Sequence, residues 1–136
     1  MITVVGSEPE RIIVDWMASW FDLLGAGELA EACEQLDLPA GDGRAWTPAR
    51  LLAELEDHFG PGTGFHRLHP EGPKFTAASV ATGIARASVT ALNDGSGFIA
   101  DHAVPLNGEF SDLSGLFDFR WSGPALLIAL YDLHVL

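Results

Sequence analysis

The chain has 136 residues, with seven Lys or Arg against nineteen Asp or Glu, a formal net charge of −12. That length supports one hydrophobic core, and 48% apolar residues exclude a largely disordered chain. The negative sign excludes a protein that tracks nucleic-acid phosphates, and the single cysteine excludes both a disulfide framework and a Cys-rich zinc site. No run approaches the roughly 18 apolar residues of a membrane span. Met1-Ile2-Thr3-Val4-Val5 leads to Glu8 and Glu10 and lacks the basic start of a signal peptide, so the expected location is cytoplasmic, with no membrane contact.

The first half reads as helices. Ser7-Glu8-Pro9-Glu10 has the form of a helix start, with Ser7 as the cap and Pro9 in the first turn. Ile12, Ile13, Trp16, Met17, Trp20, Leu23 and Leu24 then recur at threes and fours, a broad stripe suited to a large sheet face. Gly25-Ala26-Gly27 ends this helix. A short second helix places Leu29, Ala32, Cys33 and Leu36 on one side, and Cys33 reads as a small buried thiol. Thr47-Pro48 opens a third helix whose inner face is Leu51, Leu52, Leu55 and Phe59. Residues 60–73, rich in glycine and proline, read as a long loop and a candidate functional rim.

The second half reads as strands. Ala85–Ala91 alternates apolar with polar, Asn93–Gly97 turns the chain, and a second strand runs Phe98–Val104. A third covers about Ser114–Trp121, and a fourth Ala125–Leu136 follows the Ser122-Gly123-Pro124 turn. A tight, even-numbered hairpin loop puts Phe117, Phe119 and Trp121 on one face with Leu126, Ile128 and Leu130. Asp132 and His134 continue that face. Leu116, Leu127, Ala129, Tyr131, Leu133 and Val135 fall on the other, so the last strand is apolar on both sides. A homodimer packed sheet to sheet is the simplest cover for it.

The ending, Ser111-Asp112-Leu113 through Phe117-Asp118-Phe119-Arg120 and Tyr131-Asp132-Leu133-His134-Val135-Leu136, resembles small bacterial proteins of a cone-fold superfamily. This superfamily includes nuclear transport factor 2, ketosteroid isomerase and the SnoaL-like polyketide cyclases. The order of elements resembles it over nearly the whole chain. The resemblance implies one α+β domain over residues 1–136: three N-terminal helices packed on a strongly curved antiparallel sheet. It also implies a pocket between helices and sheet, and frequent dimers through the sheet. It implies no single activity, because the superfamily holds isomerases, dehydratases, cyclases, carriers and immunity proteins that block toxins.

Within such a cone, Trp16, Trp20, Phe117, Phe119, Trp121, Ile128 and Leu130 are the expected pocket wall, joined by His102 if it points inward with Phe98 and Ala100. Asp132 and His134 are the candidate catalytic pair, since a carboxylate beside an imidazole suits general acid–base work. The cone-fold isomerases pair an Asp base with Tyr donors. The sole tyrosine here, Tyr131, falls on the opposite face by the same parity. His58 and His66-Arg67-Leu68-His69 read as ordinary loop histidines rather than metal ligands, and no cofactor motif stands in its required context.

Residues 1–60 carry twelve acids and three arginines, a net −9, against −3 for the remainder. The expectation is therefore a non-enzymatic binding or inhibitory protein, of immunity type, whose acidic surface meets a basic protein partner. The alternative is a pocket for a small apolar ligand, as in a SnoaL-like lyase or isomerase acting through Asp132 and His134.

Overall fold

The structure is a computed structural model and describes residues 1–135; Leu136, expected in the last strand, lies outside the described residues. A two-residue strand, β1 (Ile2–Thr3), precedes four helices: α1 (Pro9–Gly25), α2 (Leu29–Glu34), α3 (Pro48–Phe59) and α4 (Gly64–Leu68). A 3-10 turn (Ala78–Val80) leads to β2 (Ala87–Ala91), β3 (Gly97–Leu106), β4 (Glu109–Ser122) and β5 (Ala125–Val135). The strands form one antiparallel sheet in the order β1-β5-β4-β3-β2, strongly curled around α1. The architecture is α+β, as the sequence implies.

The helix boundaries follow local chemistry. Thr47 Oγ1 accepts the Arg50 backbone N–H at 3.1 Å, and Pro48 needs no donor at the first position of α3. At α1 the cap position falls on Glu8, with no side-chain cap, so Pro9 rather than Ser7 defines the start. On α3, Leu51 and Leu55 are buried but Leu52 is 50% exposed, because it lies one residue round from the buried stripe. The expected loop 60–73 contains α4, whose start is capped by Thr63 Oγ1 accepting the His66 N–H at 3.2 Å.

The inner face of the sheet and α1 make the core. Ile13, Met17, Trp20, Phe21 and Leu24 pack against Phe98, Ala100, Phe117, Phe119, Ile128 and Leu130. Trp16 meets Phe117 and Phe119 edge-on at 5.8 and 5.9 Å, and Trp20 meets Phe117 at 5.5 Å. These edge-to-face contacts match ring quadrupoles as well as burying area. The Trp20 indole N–H donates to the Ala32 carbonyl at 2.9 Å, so its polar atom is satisfied inside the core.

Two register shifts bend the sheet. In β5, Leu130 pairs with Phe117 and Asp132 with Leu116, leaving Tyr131 as an extra residue. The outer side of β5 is not bare. The Asp37 and Leu38 N–H groups donate to the Ile128 carbonyl at 2.8 and 3.0 Å, Gly41 N–H donates to Tyr131 O at 3.0 Å, and the Trp46 indole donates to Leu130 O at 2.6 Å. The segment 37–46 therefore caps the edge that β1 leaves open.

Candidate functional site

The Tyr131 bulge changes the expected site. Strict alternation places Asp132 and His134 with Leu130 on the inner face, but the extra residue inverts every side chain after it. Asp132 now pairs with Leu116 and His134 with Ser114 on the outer face, while Leu133 turns into the core. Neither Asp132 nor His134 makes a side-chain hydrogen bond or ion pair among the described residues. His102 does point inward, beside Phe21 (5.1 Å between ring centres) and Phe110 (6.2 Å), so it and His134 lie on opposite faces. Burial holds the His102 imidazole below its ordinary value, with Ala103 as its backbone partner at 2.7 Å.

The expected pocket wall is likewise core. Trp20, Phe117, Phe119, Ile128 and Leu130 have no exposed surface and belong to the core cluster packed on α1. Trp16 is half-buried, and Trp121 sits exposed at the sheet end, edge-on to Phe98 at 6.0 Å.

An open cleft of about 460 Å³ lies instead between the α3–α4 corner and the β3–β4 hairpin. One wall is a ladder of rings. Phe59 at the end of α3 lies against Phe65 at 4.7 Å, and Phe65 lies against His69 at 4.6 Å. The Thr63 cap places Phe65 and His69 four apart, on one side of the α4 turn. The other wall is Leu106, Glu109, Phe110, Ser111 and Asp112, with Val135 from β5.

The hairpin that builds this second wall turns at Asn107-Gly108, where both residues have positive φ (52° and 87°). That is the pairing a two-residue hairpin turn demands. Asn107 also ties the preceding loop to the turn: its amide N–H group donates to Glu71 Oε1 and to the Gly72 carbonyl, both at 3.0 Å. The strand expected from about Ser114 begins five residues earlier, at Glu109. The Asn-Gly dipeptide was the available signal for a strand that begins at Glu109.

His58 faces Glu54 at 3.6 Å and His69 faces Glu71 at 3.4 Å, each imidazole beside one carboxylate. The Glu71 carboxyl is held below its usual range by its own backbone N–H and then by the Asn107 amide. Ser111 Oγ donates to the Val104 carbonyl at 2.6 Å and accepts the Leu113 N–H, so its hydroxyl holds the β4 irregularity and is not a free nucleophile. No group of three or more His, Cys, Asp or Glu side chains suited to a metal ion occurs among the described residues.

No protein-family model, curated protein or solved structure matches this chain. The cleft offers aromatic faces, two imidazoles and carboxylates, and among the described residues no nucleophile in it is hydrogen-bonded to a base.

The helical surface is a second feature. Of the twelve acids in residues 1–60, all but Asp22 and Glu54 are exposed. Glu10, Asp15, Glu28, Glu31, Glu34, Glu56 and Asp57 have no ion-pair partner among the described residues. By contrast, Asp42 is engaged. The Arg44 backbone and side chain and then Arg50 hold its carboxyl below the usual range. Arg50 stacks over Trp46 at 4.1 Å, so this guanidinium serves the 37–46 segment rather than offsetting the surface charge.

Proposed function

We propose that this protein is a non-enzymatic binding module, inhibitory in the manner of an immunity protein, whose acidic helices engage a basic protein partner. The observation that supports this reading is the set of uncompensated acids on α1, α2 and α3 in a chain of net charge −12. Exposed like charges repel one another and are not needed to hold the fold, whereas they steer a basic surface into contact. The test is capture from cells of its own source at low salt, followed by titration of the recovered partner across ionic strength. A basic protein bound near one to one, and weakening steeply with salt, supports the reading. Affinity indifferent to salt refutes it.

The lyase or isomerase alternative draws no support from the geometry, because Asp132 and His134 occupy the outer sheet face and the cone interior is packed. A small-molecule role would instead have to use the cleft. The outer sheet face also carries Ile99 (41% exposed), Leu116 and Tyr131 (50% exposed) around the Asp118–Arg120 ion pair. On this reading that patch meets a second copy of the chain, and sedimentation velocity across concentration tests it. A monomer at all concentrations, unaltered by Tyr131→Asp, refutes the homodimer.

A further inference from the structure

We infer that the cleft between the α3–α4 corner and the β3–β4 hairpin receives a lysine or arginine side chain of the basic partner, an inference that rests on the reading above. Its walls fit the stem of such a side chain. Phe59, Phe65 and Phe110 are each only partly buried, so ring faces and edges remain available to a methylene chain and to a cation beyond it.

The rim selects the charge. Glu109 and Asp112 are exposed cleft residues without ion-pair partners among the described residues, and no Lys or Arg lines the cleft. Arg86 approaches from the β2 side and donates to the Ser111 carbonyl at 3.0 Å, pairing with neither Glu109 nor Asp112. The hydroxyls are spent: Thr63 Oγ1 donates to the Gly60 carbonyl at 2.8 Å, and Ser111 is engaged as described above. The imidazoles of His58 and His69 each face a carboxylate of their own, Glu54 and Glu71, whereas Glu109 and Asp112 are acceptor-only and unpaired among the described residues, which is matched by an ammonium or guanidinium donor. An anion would meet two like charges here, and a neutral apolar group would leave both carboxylates without a partner. At about 460 Å³ the cleft has room for one such side chain with its flanking backbone.

The test uses single-residue probes on the full chain. Nα-acetyl-lysine methylamide and Nα-acetyl-arginine methylamide are titrated against Nα-acetyl-norleucine methylamide, which has the stem without the charge. The readout is the aromatic NMR signals of Phe59, Phe65 and Phe110. Expected are saturable shifts at these rings, with the charged probes binding about tenfold more tightly than norleucine, a difference of about 1.4 kcal/mol. The paired variant Glu109→Gln with Asp112→Asn removes that preference while leaving the fold intact, since both side chains are exposed. Equal binding of norleucine, or shifts absent from these rings, overturns the inference. So does a captured partner whose salt-sensitive affinity is unchanged by the paired variant; in that case the acidic-helix reading stands and the cleft has no part in it. Conversely, charged probes that bind the cleft of a protein whose partner proves insensitive to salt would overturn the partner reading, and with it the source assigned to the side chain.

Discussion

Phe117 lies at the centre of four aromatic contacts, to Trp16, Trp20, Phe21 and Phe119, and has no exposed surface. Truncating it leaves a cavity that rigid neighbours cannot collapse. Phe117→Ala is expected to cost about 3–5 kcal/mol, read as a lower urea midpoint with an unchanged slope. His102 makes a different contribution. Its folded pKa lies below the ordinary value of about 6.5, so between the two the unfolded chain binds a proton that the folded chain refuses. The stability tied to His102 is therefore intact above about pH 6.5 and declines as pH falls toward the lowered value. Urea midpoints at successive pH values should show this decline in the parent chain and a flatter profile in His102→Asn. An unchanged slope in the variant would assign the effect elsewhere. The aromatic stripe behind this core is readable from spacing alone, since Trp16, Trp20 and Leu24 recur on one helix face. The inward direction of His102 is not, because either face of a regular strand can hold it.

Short signals fix the elements unequally. Thr47-Pro48 delimits α3 as its chemistry requires, and Thr47→Ala should cost about 1 kcal/mol by freeing the Arg50 N–H. Gly97 has a tighter constraint. A Cβ there would fall into the Phe119 carbonyl oxygen across the β3–β4 pair, so Gly97→Ala should force the strands apart. The expected readout is loss of amide protection along Gly97–Ala100, with α3 less affected. Two local features escaped periodicity. α4 is too short for a recurring apolar pattern, although its Thr63 cap was present in the chain. The β5 bulge has no residue signature at all: Tyr131 is an ordinary strand residue, and its extra place in the ladder arises from how β4 and β5 curl over the core.

At the scale of the molecule, negative charge gathers on the helices while the curled sheet buries its inner face on α1. This division separates stability from recognition. Replacing Glu28, Glu31 and Glu34 with glutamine should change the urea midpoint little, because exposed acids lacking partners contribute little to folding. The same triple variant should slow association with a basic partner and flatten its salt dependence, measured as rate constants across ionic strength. A variant that associates at the parent rate would remove α2 from the contact surface. The edge of β5 that β1 leaves open is covered within the chain. The 37–46 segment already pairs with its edge, and Leu133 turns inward past the bulge.

The α+β class, the three longer helices, the aromatic stripe on α1, the hairpin that ends the chain and the uneven charge all follow from the sequence itself. Each rests on local periodicity, capping chemistry or composition, which need no knowledge of distant residues. The positions of Asp132 and His134, the packed cone and the cleft between α3–α4 and β3–β4 were decided only in the tertiary structure. A strand's two faces are exchanged by one added residue, and whether facing rings leave a cavity depends on how closely curled strands approach a helix. Those distances are set by the packing of the whole core, and no single segment encodes them.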